Sequence, residues 1–388
     1  MMRCSITELY LTTPITQLRN NVKITDISLT RMRLPLEPAF NAAWDPNPRT
    51  EFTATLVTVT TDEGVTGYGS GDTMDGFEAY KHIFIGTNPL EILNQVKRIE
   101  TINFHGGRYW PLEAALWDII GKVAKLPVAT LFGGSATKLP AYASFGELKA
   151  PKQRAEAAVA AKKVGFMAAK IRISRDDLET GIEAVKQTRK AVGDDFQIMV
   201  DMNQMWRMSG DIEPALTLAK VHSVAERLHE QGVLWIEEPL PQVDIEGIKR
   251  VRTQVGVQIA GGEMVRSLPE LAHLIEQDTF DIYQPDVVLA VGMLRARQVA
   301  EAAAIKHRGF TPHSWTNGLG VLANLHVSAG VGGGPYFEFP FDPPGWTIER
   351  RDFFMKPLMI DKEGFLHVPT APGLGAEIDF DAVKRFTI

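Results

Sequence analysis

The chain has 388 residues, 45% of them apolar, enough to fill the core of one large barrel or of two domains. Its formal charge of −6, with both signs spread along the sequence, leaves no broad basic face and argues against nucleic acid as a partner. Cys4 is the single cysteine, which excludes an internal disulfide or a cysteine-based metal site, and no apolar run approaches the roughly 20 residues that span a bilayer.

Residues 1–21 read as a polar N-terminal extension without the apolar block of a signal peptide, and a cytoplasmic location is expected. From Val22, "VKITDISLTRMRLPL" and "FTATLVTVTTDEGVTGYG" alternate apolar and polar residues and predict antiparallel strands, with "DEG" as a turn. Between Asp75 and Leu131 the period becomes helical, most clearly in "WPLEAALWDIIGKVAKLPVATLFGG". An α+β domain over 22–137 follows.

From Leu139 the pattern changes to short apolar runs, each followed by helical text: "LPAYAS", "AAKIRI", "FQIMVD", "GVLWIEE", "VQIAGGE", "FDIYQPD", "GFTPHS" and "PYFEF". These eight runs, spaced by roughly 25–35 residues, predict a parallel (β/α) barrel over 138–349. A doubly wound open sheet is the alternative, but no glycine-rich dinucleotide fingerprint follows any run. Residues 350–388 are turn-rich and strand-like, and are expected to return to the first domain.

Charged and polar residues sit at the ends of nearly all these runs: Lys170 and Arg172, Asp201 and Asn203, Glu237 and Glu238, Glu263, Asp286, His313 and Glu338. A single acid after a strand commonly caps the next helix. In a parallel barrel, however, the carboxyl ends of all strands meet at one mouth, so residues scattered over roughly 170 positions would share a site. Asp201, Glu237 and Glu263 on successive runs would repel one another, and they supply the hard oxygen ligands that Mg²⁺ takes.

These motifs, "VDMN", "WIEEP", "GGE", "QPD", "PHS" and "FEF", resemble the mandelate racemase branch of the enolase superfamily over nearly the whole chain. The resemblance implies a modified TIM barrel, (β/α)7β, with an α+β capping domain formed by the N-terminal part and the C-terminal tail. It also implies Mg²⁺ on Asp201, Glu237 and Glu263, with Asn203 and Glu238 in close support. A small carboxylate substrate would lose its α-proton to give an enediolate. His313 held by Asp286 would be the general acid/base, and Glu338 would donate a hydrogen bond to a carboxylate oxygen if its pKa were raised. Assembly as a homo-oligomer, a dimer or an octamer, is implied as well.

Side chains two apart on a strand share a face, so Lys170 and Arg172 both point into the barrel. Relatives often carry Lys-x-Lys there, the first lysine steadying the carboxylate and the second acting as base. Neutralising Arg172 at pH 7 would cost roughly 7 kcal/mol or more, so Arg172 reads as an electrostatic or substrate-hydroxyl contact, or as an ion pair to a mouth acid. With one base, racemisation is disfavoured and dehydration of an acid sugar, an aldonate or aldarate, to a 2-keto-3-deoxy acid is the leading expectation. An epimerase or lactone cycloisomerase, or a weakly active metal-binding barrel, are the alternatives. Trp44, Asp45 and Arg49 in "NAAWDPNPRTEF" are expected to meet the distal end of the substrate, with His105, Arg108, Tyr68 and Asp72 as weaker candidates. The remaining histidines of helical text, His326 among them, read as solvated or packed.

Overall fold

Alternating apolar residues pair the first three strands into an antiparallel sheet: β1 (Ile24–Phe40), β2 (Arg49–Thr61) and β3 (Thr66–Gly71). The computed structural model describes residues 22–71, 74–206 and 214–388; Asp72, Cys4 and the N-terminal extension lie outside them. One face of the sheet buries Ile27, Val57 and Val59 against α1 (Ile92–Asn103) and α2 (Trp110–Ala124), through Val96, Ile99, Leu112 and Leu116. Gly67 and Gly69 make that contact possible, because a Cβ at either would lie about 2 Å from a carbonyl oxygen of α2. A short α3 (Val128–Leu131) leads out of this layer.

All eight predicted barrel runs form strands: β4 (Lys138–Ser144), β5 (Ala168–Arg172), β6 (Gln197–Asp201), β7 (Val233–Glu237), β8 (Gln258–Gly261), β9 (Ile282–Tyr283), β10 (Gly309–Phe310) and β11 (Phe337–Pro340). Between them run α4 (Pro151–Val164), α5 (Leu178–Val192), α6 (Leu218–His229), α7 (Ile245–Val255), α8 (Leu268–Glu276), α9 (Met293–Ile305) and α10 (Gly318–Val331). The strands pair in parallel in the order β10-β9-β8-β7-β6-β5-β4-β11. The last strand thus lies beside the first, which excludes the doubly wound alternative and gives the (β/α)7β arrangement. Among the described residues no helix is long and apolar enough to cross a membrane.

The tail, comprising α11 (Ile348–Arg351), β12 (Phe365–His367) and α12 (Phe380–Phe386), divides between the two layers. Its one strand, β12, pairs antiparallel with Lys138–Pro140 of β4. That part of β4 precedes the residues pairing with β5 and β11, so its backbone groups need another partner. The tail meets the capping layer at several points: Arg350 Nη1 donates to the Pro38 carbonyl of β1 at 2.9 Å, Phe353 packs edge-on against Phe52 of β2, the Leu374 N–H donates to Asp118 of α2, and at the end of the chain α12 packs on β1 and the Ile388 N–H donates to the Arg31 carbonyl. Glu113 of α2 fastens the two layers together by accepting from the Met293 and Leu294 N–H groups at the start of α9.

Inside the barrel the two-residue strand period sets the layers. Tyr142, Ala168, Met199, Trp235, Ala260 and Ile282 form one buried apolar cluster, with Tyr336 packed against it. Two residues further along their strands stand Ser144, Lys170, Asp201, Glu237, Gln284 and Glu338, all buried and polar. An apolar plug therefore seals the bottom, and everything above it is available for chemistry.

His326 cross-links α10 to its neighbours: Nδ1 accepts from the Ala129 N–H at 3.0 Å and Nε2 donates to the Leu374 carbonyl at 3.0 Å. Burial pushes its pKa down to about 4, the bond to Leu374 opposing only partly. The folded value lies below the unfolded one, so the unfolded chain binds the extra proton and stability falls as pH drops from about 6.5 towards 4. Urea unfolding at pH 7 and pH 5 is expected to show a loss of about 2 kcal/mol from this group, which His326→Gln removes. An equal pH dependence in the variant contradicts the assignment.

Candidate active site

Lys170 occupies the centre of the polar layer. Its Nζ pairs with Glu237, lies 2.8 Å from Glu338 Oε1 and 3.4 Å from Asp201 Oδ2, and is fully buried. Burial alone would lower its pKa, but the charges of Glu237 and Glu338 outweigh it and hold the ammonium well above the usual lysine range. Arg172, one layer higher, donates from Nη1 to Asp201 Oδ2 at 2.7 Å and to Asn203 Oδ1 at 2.6 Å, and from Nε to the Phe145 carbonyl. Its guanidinium lies 4.2 Å from the Trp44 ring centroid. Of the readings open for Arg172, the structure shows the ion pair.

The acids are packed more densely than these cations can neutralise. Asp201, Glu237, Glu238, Glu263, Asp286 and Glu338 are all buried around two fixed cations and one histidine. One oxygen from each of Asp201, Glu237 and Glu263 falls within 4.8 Å of the others. Burial, with the neighbouring carboxylates adding to it, raises Glu237 to about 8, although Lys170 opposes the shift. Glu263 is likewise raised, and Glu238 well above the carboxylate range. Asp201 differs from the other two of the trio: burial raises it, but Arg172 and Lys170 reverse the sign and hold it low. Glu263 Oε2 and Glu238 Oε2 are buried without a hydrogen-bond donor. Orphaned oxygens and raised pKa values in an all-oxygen trio fit a hard divalent cation.

Two supporting residues reach their places through left-handed backbone, Asn203 at φ 47° and Glu238 at φ 49°. The Asn203 N–H donates to Asp201 Oδ1, and Trp206 Nε1 donates to Glu238 Oε1 at 2.9 Å. Gln284 Nε2 holds Glu237 Oε2 at 2.8 Å. Glu263 enters from the turn after β8, where Gly262 has φ 93°.

His313 Nδ1 lies 2.9 Å from Asp286 Oδ2, and Asp286 Oδ1 in turn accepts from the Val288 and Leu289 N–H groups at 2.7 and 3.0 Å. Nε2 is therefore turned to the cavity, 3.7 Å from Glu263 Oε2. Burial lowers the imidazole pKa, but Glu263, the bond to Asp286 and Glu338 raise it to about 10. Glu338 departs from expectation. Burial favours its neutral form, yet the charges of Lys170 and His313, with bonds from Lys170 and the Ser314 N–H, pull it down to about 2. In this arrangement it accepts from Ser144 Oγ and Ser314 N–H and has no proton to donate.

A cavity of about 890 Å³ opens above these groups, between barrel and capping sheet. Arg172, Asn203, Glu263 and His313 line its floor. Trp44, Asp45 and Arg49 line its wall as expected, with Arg49 Nε donating to Asp45 Oδ2 at 2.8 Å. Phe40, Phe52, Trp315 and Trp346 complete an aromatic side. Arg108 also reaches the cavity, whereas His105 stacks on Tyr80 and Tyr68 packs on Phe380, both away from it. Sequence reasoning missed Ser144, Trp206, Gln284, Arg266 and Trp315. Ser144 and Gln284 were accessible to the same strand-end rule that found the acids.

The family described as enolase C-terminal domain-like matches residues 152–383. The chain is 31% identical over 271 residues to the arabinonate dehydratase of Saccharolobus solfataricus, covering 69% of this chain and 68% of that one. It is equally 31% identical over 281 residues to the 3,6-anhydro-alpha-L-galactonate cycloisomerase of Streptomyces coelicolor, covering 71% of each. Among solved structures, a member of the enolase superfamily from Polaromonas sp. JS666 matches with a TM-score of 0.81 at 27% identity, over 94% of this chain and 98% of that one.

Adding Mg²⁺ at about a hundred times its dissociation constant is expected to stabilise the protein by about 2.7 kcal/mol, read as a rise in melting temperature. Glu263→Gln is expected to abolish that response without destabilising the metal-free protein, because the carboxylate it removes is buried, lies among other acids and has an oxygen with no hydrogen-bond donor. An intact response in the variant contradicts the site. In NMR titrations the metal-free His313 is expected to titrate near 10, and Mg²⁺ to lower that value by about one unit or more as it offsets the neighbouring acids. A value unmoved by Mg²⁺ counts against the shared field.

Proposed function

Since the chain belongs to the mandelate racemase and muconate lactonizing branch of the enolase superfamily, whose chemistry is Mg²⁺-dependent removal of a proton α to a carboxylate, we propose that it dehydrates an acid sugar to a 2-keto-3-deoxy acid. One observation supports the choice of dehydration: Lys170 and Arg172 are locked in ion pairs with the acids, which leaves His313 as the one proton carrier facing the cavity. Arg172, where a second base would stand, is tied to Asp201 and Asn203 and stays charged, its pKa raised because the acids outweigh burial. Lys170 is likewise held protonated by Glu237 and Glu338, so it can donate a hydrogen bond but cannot accept a proton.

Asp201, Glu237 and Glu263 are the residues that would hold Mg²⁺, and the bound ion lowers the cost of the negative charge that grows on the substrate carboxylate. Asp286 accepts from His313 Nδ1–H and leaves Nε2 facing the cavity; the acids around it hold the ring charged in the metal-free protein, so Nε2 takes the α-proton only once a divalent cation has offset those acids. The resulting imidazolium then returns that proton to the β-hydroxyl on the same face. The β-carbon–oxygen bond breaks, water leaves, and the enol that remains becomes the 2-keto acid. Nε2 thus serves as base and then as acid, which needs no group on the opposite face.

Isomerisation is the second reading, supported by the cycloisomerase relative at equal identity. The two differ in mass balance, since dehydration removes one water and isomerisation removes nothing. The Mg²⁺-loaded protein, screened against aldonates and aldarates, is expected to give a semicarbazide-reactive product lighter by one water. A product of unchanged mass contradicts dehydration. His313→Asn is expected to abolish turnover, and Asp286→Asn to lower kcat by roughly a hundredfold or more through loss of the tautomer. Keto-acid formation surviving in His313→Asn overturns the base assignment.

A further inference from the structure

The end of the cavity away from the acid trio is built differently. Arg266, three residues beyond Glu263, and Arg108 both line it, and both also line an adjoining cleft of about 520 Å³. Gly107, at φ 106°, leaves its Cβ position 3.8 Å from Arg266 Nη1. Arg108 follows in left-handed backbone at φ 61°, a conformation that residues with a side chain rarely adopt. The two guanidinium groups are close enough that the pKa of Arg266, lowered first by burial, is lowered further by the charge of Arg108.

Among the described residues no acid pairs with Arg266. Among the described residues its guanidinium makes no hydrogen bond and no ion pair. The acids on the same cavity wall are each engaged elsewhere: Asp45 with Arg49, Glu51 with Arg33, and Glu270 with Gln242. Two cations held side by side, one of them without a carboxylate, at the rim of a cavity whose floor is built for a carboxylate, suit a second anion on the same ligand.

We propose that Arg266, with Arg108 beside it, forms a distal anion site that takes the second carboxylate of the substrate, making the acid sugar a dicarboxylic one, an aldarate. The inference rests on the dehydration reading of the same site and narrows its substrate class. The dimensions agree. Arg266 is three Cα–Cα steps from Glu263, so their Cα atoms are at most about 11 Å apart, while the end carbons of an extended six-carbon chain are about 6 Å apart. Guanidinium and carboxylate can then pair through two parallel hydrogen bonds, which no terminal hydroxymethyl group of an aldonate reproduces.

The test uses two unreactive probes of equal length, adipate and hexanoate, bound to the Mg²⁺-loaded protein and followed by calorimetry. Wild type is expected to bind adipate at least about tenfold more tightly than hexanoate. Arg266→Gln is expected to erase that preference while leaving hexanoate and Mg²⁺ affinities within about twofold, and Arg266→Lys to keep part of it. Equal binding of the two probes by wild type, or equal weakening of both in Arg266→Gln, overturns the proposal. If wild type prefers adipate but makes no keto acid from any acid sugar, the distal site stands and the dehydration reading falls.

Discussion

Carboxylates crowded into a low-dielectric space repel one another, and the upper half of this barrel is organised around that repulsion. Two cations on one strand, Lys170 and Arg172, thread through six buried acids and neutralise only part of their charge. The remainder appears as raised pKa values at Glu237, Glu238 and Glu263, and as a histidine held charged to about pH 10. A divalent cation satisfies this excess with the oxygen ligands already present. The same balance explains why Lys170 and Arg172 are poor bases here. They are the counter-charges that let the acids be buried at all.

The barrel makes such a cluster possible because it separates stability from chemistry. Below the polar layer an apolar plug of Tyr142, Met199, Trp235 and Ile282 fills the interior, and the helices bury the outer faces of the strands. Burying unpaired acids is costly, and that cost falls on a frame with a large independent core. The capping sheet then closes the mouth with Trp44, Phe40 and Phe52, and places Trp44 over the Arg172 guanidinium. Floor and wall therefore come from different parts of the chain, so the reaction and the choice of substrate can be set by different residues.

Much of this is written in local sequence. Strand alternation, eight evenly spaced apolar runs and polar residues at their ends are short-range signals, and a parallel barrel has only one place to gather strand ends. Legibility stopped where a result depended on distances between elements. Nothing in "GFLH" says that it will pair with the exposed start of β4. The text "KIR" gives two inward cations, but whether Arg172 meets substrate or Asp201 turns on a few ångströms. Glu338 was expected to donate only with a raised pKa, and its proximity to Lys170 and His313 lowers it, so that it accepts instead. Arg266 lies in a turn, where no periodicity indicates which way a side chain faces.

The central claim is electrostatic: the trio of Asp201, Glu237 and Glu263 waits for a divalent cation, with protons holding part of its place. Calorimetric titration of Mg²⁺ at pH 7 in two buffers of different ionisation enthalpy tests this most directly, because it counts protons released per ion bound. With Glu237 near 8, Glu263 raised and His313 near 10 before the ion arrives, release of about one proton per ion is expected. Binding with no proton release, or no binding by the intact trio, would contradict the account.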